Sequence, residues 1–91
     1  MDNDTVVRVS GKSQPSAVAG AIAGIYRQHG QASAQAVGAA AVNQMVKAVA
    51  VAISFLLEDG LRMACVPTFQ DVGQDGQDFT ALRLTLVERS G

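Results

Sequence analysis

Cysteine is nearly absent. Cys65 is alone, which excludes a disulfide scaffold and suits a reducing compartment. Tryptophan is missing and aromatic residues make up only 4% of the chain, so base stacking cannot dominate a broad binding surface. Charged residues amount to 16% against 48% apolar, a balance that excludes a disordered chain. Acidic residues are missing from Thr5 to Leu57, where the only charges are Arg8, Lys12, Arg27 and Lys47. The acids gather afterwards: Glu58, Asp59, Asp71, Asp75, Asp78 and Glu88 stand against Arg62, Arg83 and Arg89. A net charge of −1 argues against a histone-like positive coat, while the acid-free half is compatible with a modest anion-binding surface. The amino terminus carries Asp2 and Asp4 rather than a basic segment followed by an apolar run, so no targeting signal is expected. The longest apolar run, Ala48 to Leu57 broken by Ser54, falls short of the roughly 20 residues of a bilayer span. The expectation is a cytoplasmic protein with no membrane partner.

What the 91 residues do contain is fifteen alanines and nine glycines. A chain of this size holds one core, so residues 1–91 read as a single domain whose elements approach closely through small side chains. Thr5 to Ser10 alternates as a strand, with Val7 and Val9 on one face. Pro15 suits the first turn of a helix, capped by Ser13 or Gln14, with Ser13 the better chemical choice. That helix runs to about His29 and stops at Gly30. Val18, Ile22 and Ile25 should face the core, and Ala17, Gly20 and Gly24 form a small-residue stripe that should meet a close backbone. Ala32, Ala34 and Ala36 alternate within a short strand ended by Gly38.

Ala39 to Leu57 reads as a long helix whose main face carries Val42, Val46, Val49, Ile53 and Leu56. Its apolar second side suggests packing on the first helix or on another subunit. Asp59-Gly60 is a turn. Leu61 to Phe69 is a strand, with Pro67 pointing to an edge position or a bulge. Gln70 to Gln77 is a polar loop with turn chemistry at Asp75-Gly76. Phe79 to Glu88 sends Leu82, Leu84 and Leu86 inward, with Arg83 and Thr85 outward. The fold class is therefore α+β, a two-layer β-α-β-α-β-β sandwich with both helices on one face of a four-stranded mixed sheet.

Catalytic chemistry finds little support. His29 suits a helix C-terminus, Cys65 suits a strand core, and the spacing of Asp71, Asp75 and Asp78 fails the calcium-loop pattern. Neither enzyme activity, nor a metal, nor a cofactor is expected. The most informative segment is Gly11-Lys12-Ser13-Gln14, which joins a strand to a helix N-terminus. Free N–H groups and the helix dipole favour a phosphate there, and Lys12 adds positive charge. The alternative is an ordinary turn with a solvated lysine. A second surface, Arg8, Arg62 and Arg83 on the outward face of the sheet, lacks aromatic platforms and reads rather as a solvated face.

Several blocks carry a resemblance: Val9-Ser10-Gly11-Lys12-Ser13, the run from Ser16 to Gly24, the long block from Ala36 to Ala50, Cys65-Val66-Pro67-Thr68-Phe69, and Thr80-Ala81-Leu82-Arg83-Leu84. Across Val7 to Val87 the chain resembles the stage V sporulation protein S family. That family looks like a branch of the Alba-type nucleic-acid-binding fold, shared with the C-terminal domain of initiation factor three. The resemblance implies strand order 1-2-4-3, a dimer, and DNA or RNA as partner, with Lys12 at the position of a nucleic-acid-contacting lysine; the apolar second helix, which would expose a large patch in a monomer, leads to the expectation of a homodimer or dimer of dimers. Where Alba proteins open their second helix with arginines, this chain has Ala39 to Gln44, so Asn43, Gln44 and Lys47 stand as polar substitutes. The usually basic hairpin arm is acidic here. Two functions follow: a small nucleic-acid-binding regulator related to sporulation, contacting phosphates through the first strand-to-helix loop, or a protein-interaction factor on the same fold.

Overall fold

The computed structural model describes residues 3–73 and 79–90. A short 3-10 turn, Asn3–Thr5, leads into β1 (Val6–Val9), followed by α1 (Pro15–His29), β2 (Ser33–Ala36), α2 (Ala39–Glu58), β3 (Met63–Asp71) and β4 (Thr80–Glu88). The sheet order is β1-β2-β4-β3. β1 and β2 are parallel, and β4 is antiparallel to both β2 and β3. This is the mixed sheet and strand order expected above. Pro67 lies on β3, an edge strand, where its missing N–H costs no ladder bond on the open side.

β2 is central and almost purely alanine on its helix-facing side. Ala32, Ala34 and Ala36 are buried, as are Ala41, Ala48 and Ala52 of α2 and Ala19 and Ala23 of α1. Small residues facing each other let helix and sheet backbones approach closely, and the remaining volume is filled by a few large side chains. Ile22, Met45 and Leu56 are the largest that are wholly enclosed. Leu84 and Leu86 close the core from β4, with Leu82 partly buried at its margin.

The long helix is rotated from the sequence expectation. Its buried residues are Ala41, Met45, Ala48, Val49, Ala52 and Leu56, while Val42 and Ile53 are only partly buried and Val46 is 50% exposed. Reading the bulkiest apolar residues as the inner face misleads here, because close packing selects alanine for the inner stripe. The small stripe of α1 is also corrected. Gly20 and Gly24 are exposed, a Cβ built on either would meet nothing within 4 Å, and Ala17 is exposed. The inner face of α1 runs instead through Ala19, Ile22 and Ala23.

Helix ends follow local chemistry. Gln14, not Ser13, is the N-cap of α1, and no side chain caps that helix. α2 ends in a Schellman arrangement: Gly60 N–H donates to Leu57 O at 2.9 Å and Leu61 N–H to Leu56 O at 3.0 Å, with Gly60 at φ 83°, which a Cβ would strain. Gly38 adopts φ 91° and ψ 155° as the N-cap of α2, a region open to glycine and little else. It lets the chain leave β2 and enter the helix within two residues. By length and composition alone α2 could cross a membrane, but its inner stripe is spent on the core.

Candidate nucleic-acid interface

β1 and β2 run parallel and each feeds a helix, so the N-termini of α1 and α2 open at the same end of the molecule. β4 begins there and β3 ends there. Ala36, the last residue of β2, pairs with Leu82, while β3 and β4 continue to the Asp71–Thr80 pair and Val72 N–H donates to Phe79 O at 2.9 Å. A two-stranded arm therefore projects beyond the sheet at this end, with Phe69 78% exposed. Asp71 is exposed on the arm. Asp75, Asp78 and the expected Asp75-Gly76 turn lie outside the described residues.

The first loop is a compact turn. Ser13 N–H donates to Ser10 O at 3.1 Å, Ser10 N–H donates to Ser13 Oγ at 2.9 Å, and Lys12 N–H donates to Ser10 Oγ at 3.2 Å. Ser13 thus ties down the loop rather than capping the helix, and the Lys12 and Ser13 N–H groups already have acceptors. Donors for an incoming anion shift one step along. Pro15 has no N–H, and the next first-turn N–H groups, of Ser16 and Ala17, lie beyond an uncapped start. α2 likewise opens without a side-chain cap. Neither helix has an acidic residue in its first turn, the position where acids are ordinarily stabilising.

The loop rests on α2. A Cβ on Gly11 would stand 3.0 Å from the Cβ of Ala40, and Gln44 Nε2 donates to Ser13 O at 2.9 Å. The structure therefore brings Gly11, Ser13 and Gln44 together, with Gln44 committed to holding the loop. Lys12, Gln14, Asn43 and Lys47 are exposed. Ala40, Asn43, Gln44 and Lys47 recur at helical spacing, so Asn43 and Lys47 flank the contact on the same side of α2. The ion pair found among the described residues is Arg27 Nε to Asp59 Oδ2 at 2.6 Å, remote in sequence from this end. Arg8, Lys12 and Lys47 are exposed.

The outward face of the sheet is organised rather than merely solvated. Arg8, Gln35, Arg83 and Thr68 are successive register partners across all four strands. Gln35 is buried, and its Oε1 accepts from Arg83 Nε at 2.8 Å and from Arg83 Nη2. Arg83 is thus engaged within the sheet, whereas Arg62 precedes β3 at the opposite end. Beside Arg8 and Gln35 a cleft of about 680 Å³ opens at the strand ends, bordered also by Val37, Val72 and Phe79. Sequence reasoning missed this cleft, because Val72 and Phe79 join it only through the hairpin's register. The one local signal was Gln35, a polar residue between alanines.

Residues 5–89 match the profile of the Stage V sporulation protein S (SpoVS) family. The chain belongs to that family. Membership covers nearly the whole described fold and assigns the chain a sporulation-related role. His29 lies exposed in the last turn of α1 and Cys65 lies half-buried in β3, so the SpoVS chain places its single histidine and single cysteine on separate elements.

Proposed function

We propose that this SpoVS-family chain is a nucleic-acid-binding regulator, cytoplasmic and dimeric, that contacts phosphates with the end of the molecule where both helices begin. One observation carries the reading: two uncapped, acid-free helix N-termini open at the same end of the molecule, with the exposed Lys12 just before α1 and the exposed Lys47 about two turns into α2. Free N–H groups, helix dipoles and exposed cations all favour a phosphate. Asn43 supplies a neutral donor, and the Ser10–Ser13 turn, braced by Gln44, fixes where Lys12 emerges. The interaction is with backbone phosphate and is sequence-tolerant. DNA and RNA remain equal partners under this chemistry.

The test is a binding titration with duplex DNA and single-stranded RNA at several salt concentrations. Lys12→Ala should weaken binding similarly for all sequences and flatten the salt dependence by about 0.9 per lost duplex phosphate contact. Lys12→Glu should weaken it further, since it sets a carboxylate before the phosphate. Unchanged affinity and slope would refute the site. The competing reading, a protein-docking factor, draws on the 78% exposure of Phe69 and the 46% exposure of Val66 along β3. It would prevail if the parent protein showed no binding at low salt.

A further inference from the structure

The cleft at the ends of β1 and β2 is separate from the Lys12 side chain and has its own chemistry. Its volume of about 680 Å³ falls in the range of small-molecule sites. One wall is apolar, with Phe79 and Val72 from the base of the arm and Val37 from the β2–α2 connection. The other is polar, with Arg8, Gln35 and Ser10. Arg8 is the one charged residue among the described residues of the lining. The α2 N-terminus begins at this wall, since Val37 directly precedes the Gly38 cap.

Gln35 gives the cleft its specificity. It is only 6% exposed, and its Oε1 is occupied by Arg83. Gln35 lines the cleft, and with its oxygen engaged by Arg83 its amide nitrogen is the group it can offer a ligand. Phe79, 45% exposed at the opposite wall, offers a ring face in a chain with few aromatics. An apolar aromatic wall, an amide donor and an exposed guanidinium together suit a flat, hydrogen-bonding ring that carries an anionic group.

We propose that this cleft binds a single nucleoside monophosphate unit, either free or as one residue of a single strand, with the base against Phe79 and Val72, a base acceptor on the Gln35 amide, and the phosphate on Arg8. The proposal deepens the nucleic-acid reading by giving that end of the molecule a base-accepting pocket beside its phosphate-contacting loop.

The test uses the full chain and follows amide chemical shifts during titration with adenosine monophosphate, uridine monophosphate, adenosine or inorganic phosphate. At least one monophosphate should bind more tightly than either fragment and shift the Arg8, Gln35 and Phe79 signals. Phe79→Ala should weaken the monophosphate by about tenfold, in the range of one stacked base, and leave phosphate unchanged. Arg8→Ala should weaken the monophosphate and phosphate but not adenosine. Both residues are exposed, and melting curves will verify that the variants fold. Lys12→Ala should leave monophosphate affinity within about twofold, a difference under about 0.5 kcal/mol. Phosphate binding as tightly as the monophosphates, no effect of Phe79→Ala, or no shifts at millimolar ligand would each overturn the pocket. Polymer binding without monophosphate binding would overturn the pocket alone. Monophosphate binding without polymer binding would uphold the pocket and overturn the phosphate-contacting loop. Comparing free monophosphate with a short single strand distinguishes the two sources of the ligand: only a strand-derived residue should compete with the polymer and lose affinity on Lys12→Ala.

Discussion

Replacing Gly20 with alanine should stabilise the protein. Gly20 lies within α1 and is exposed, and a Cβ there meets nothing within 4 Å. No overpacking term arises, and the backbone is already helical. What remains is the intrinsic difference between glycine and alanine in a helix interior, about 0.8–1.0 kcal/mol in favour of alanine, acting largely through the entropy of the unfolded chain. For a domain of this size that corresponds to a rise in Tm of about 4–8 °C per kcal/mol. Gly24→Ala satisfies the same conditions and should act similarly, and the double variant should gain about twice as much. Gly11→Ala is the contrasting control, because its Cβ would press on Ala40 at 3.0 Å and should lower Tm. The assay is thermal unfolding followed by circular dichroism at several protein concentrations. An unchanged or lowered Tm for Gly20→Ala would refute the reasoning and show that another surface covers the stripe.

Leu56→Ala should cost about 2–5 kcal/mol in urea unfolding, since Leu56 is wholly buried; a loss below about 1 kcal/mol would contradict that enclosure. Gln44→Ala removes the donor to Ser13 O and should cost about 1 kcal/mol, with amide shifts changing at Ser10 to Gln14. Burial, then the charge of Glu88 and the hydrogen bond to it, raise the pKa of Tyr26 above the ordinary phenol value. Its stabilising contribution is therefore full below about pH 10 and is lost as pH rises through the folded value. Because Tyr26 is the single tyrosine, tyrosinate absorbance reports it directly: it should titrate later in folded than in unfolded protein, and Tyr26→Phe should abolish this part of the alkaline loss.

The local punctuation of the chain was legible before the structure. Pro15, Gly30, Gly38 and Asp59-Gly60 bound the two helices, because each residue type answers a backbone requirement met within a few positions. Alternation in β4 and the alanine alternation in β2 gave the strands and their inner faces for the same reason. The Gly11-Lys12-Ser13-Gln14 loop was legible as a strand-to-helix junction, and its lysine as an exposed cation.

Tertiary packing decided the rest. The inner face of α2 could not be found by ranking side chains by bulk, since the alanines of β2 admit the helix only when its own alanines face them. Val46 is left outside for that reason. The α1 stripe Ala17, Gly20 and Gly24 looked like a contact surface, yet burial belongs to Ala19, Ile22 and Ala23, which face the layer beneath. That the amide of Gln44 meets Ser13 O was visible only in the fold. The cleft beside Gln35 depends on strand register, which joins residues 8, 35, 72 and 79 from four separate stretches of the chain. Short-range chemistry fixes where elements start and stop, whereas which face is buried and which distant residues share a wall are properties of packing that no local window contains.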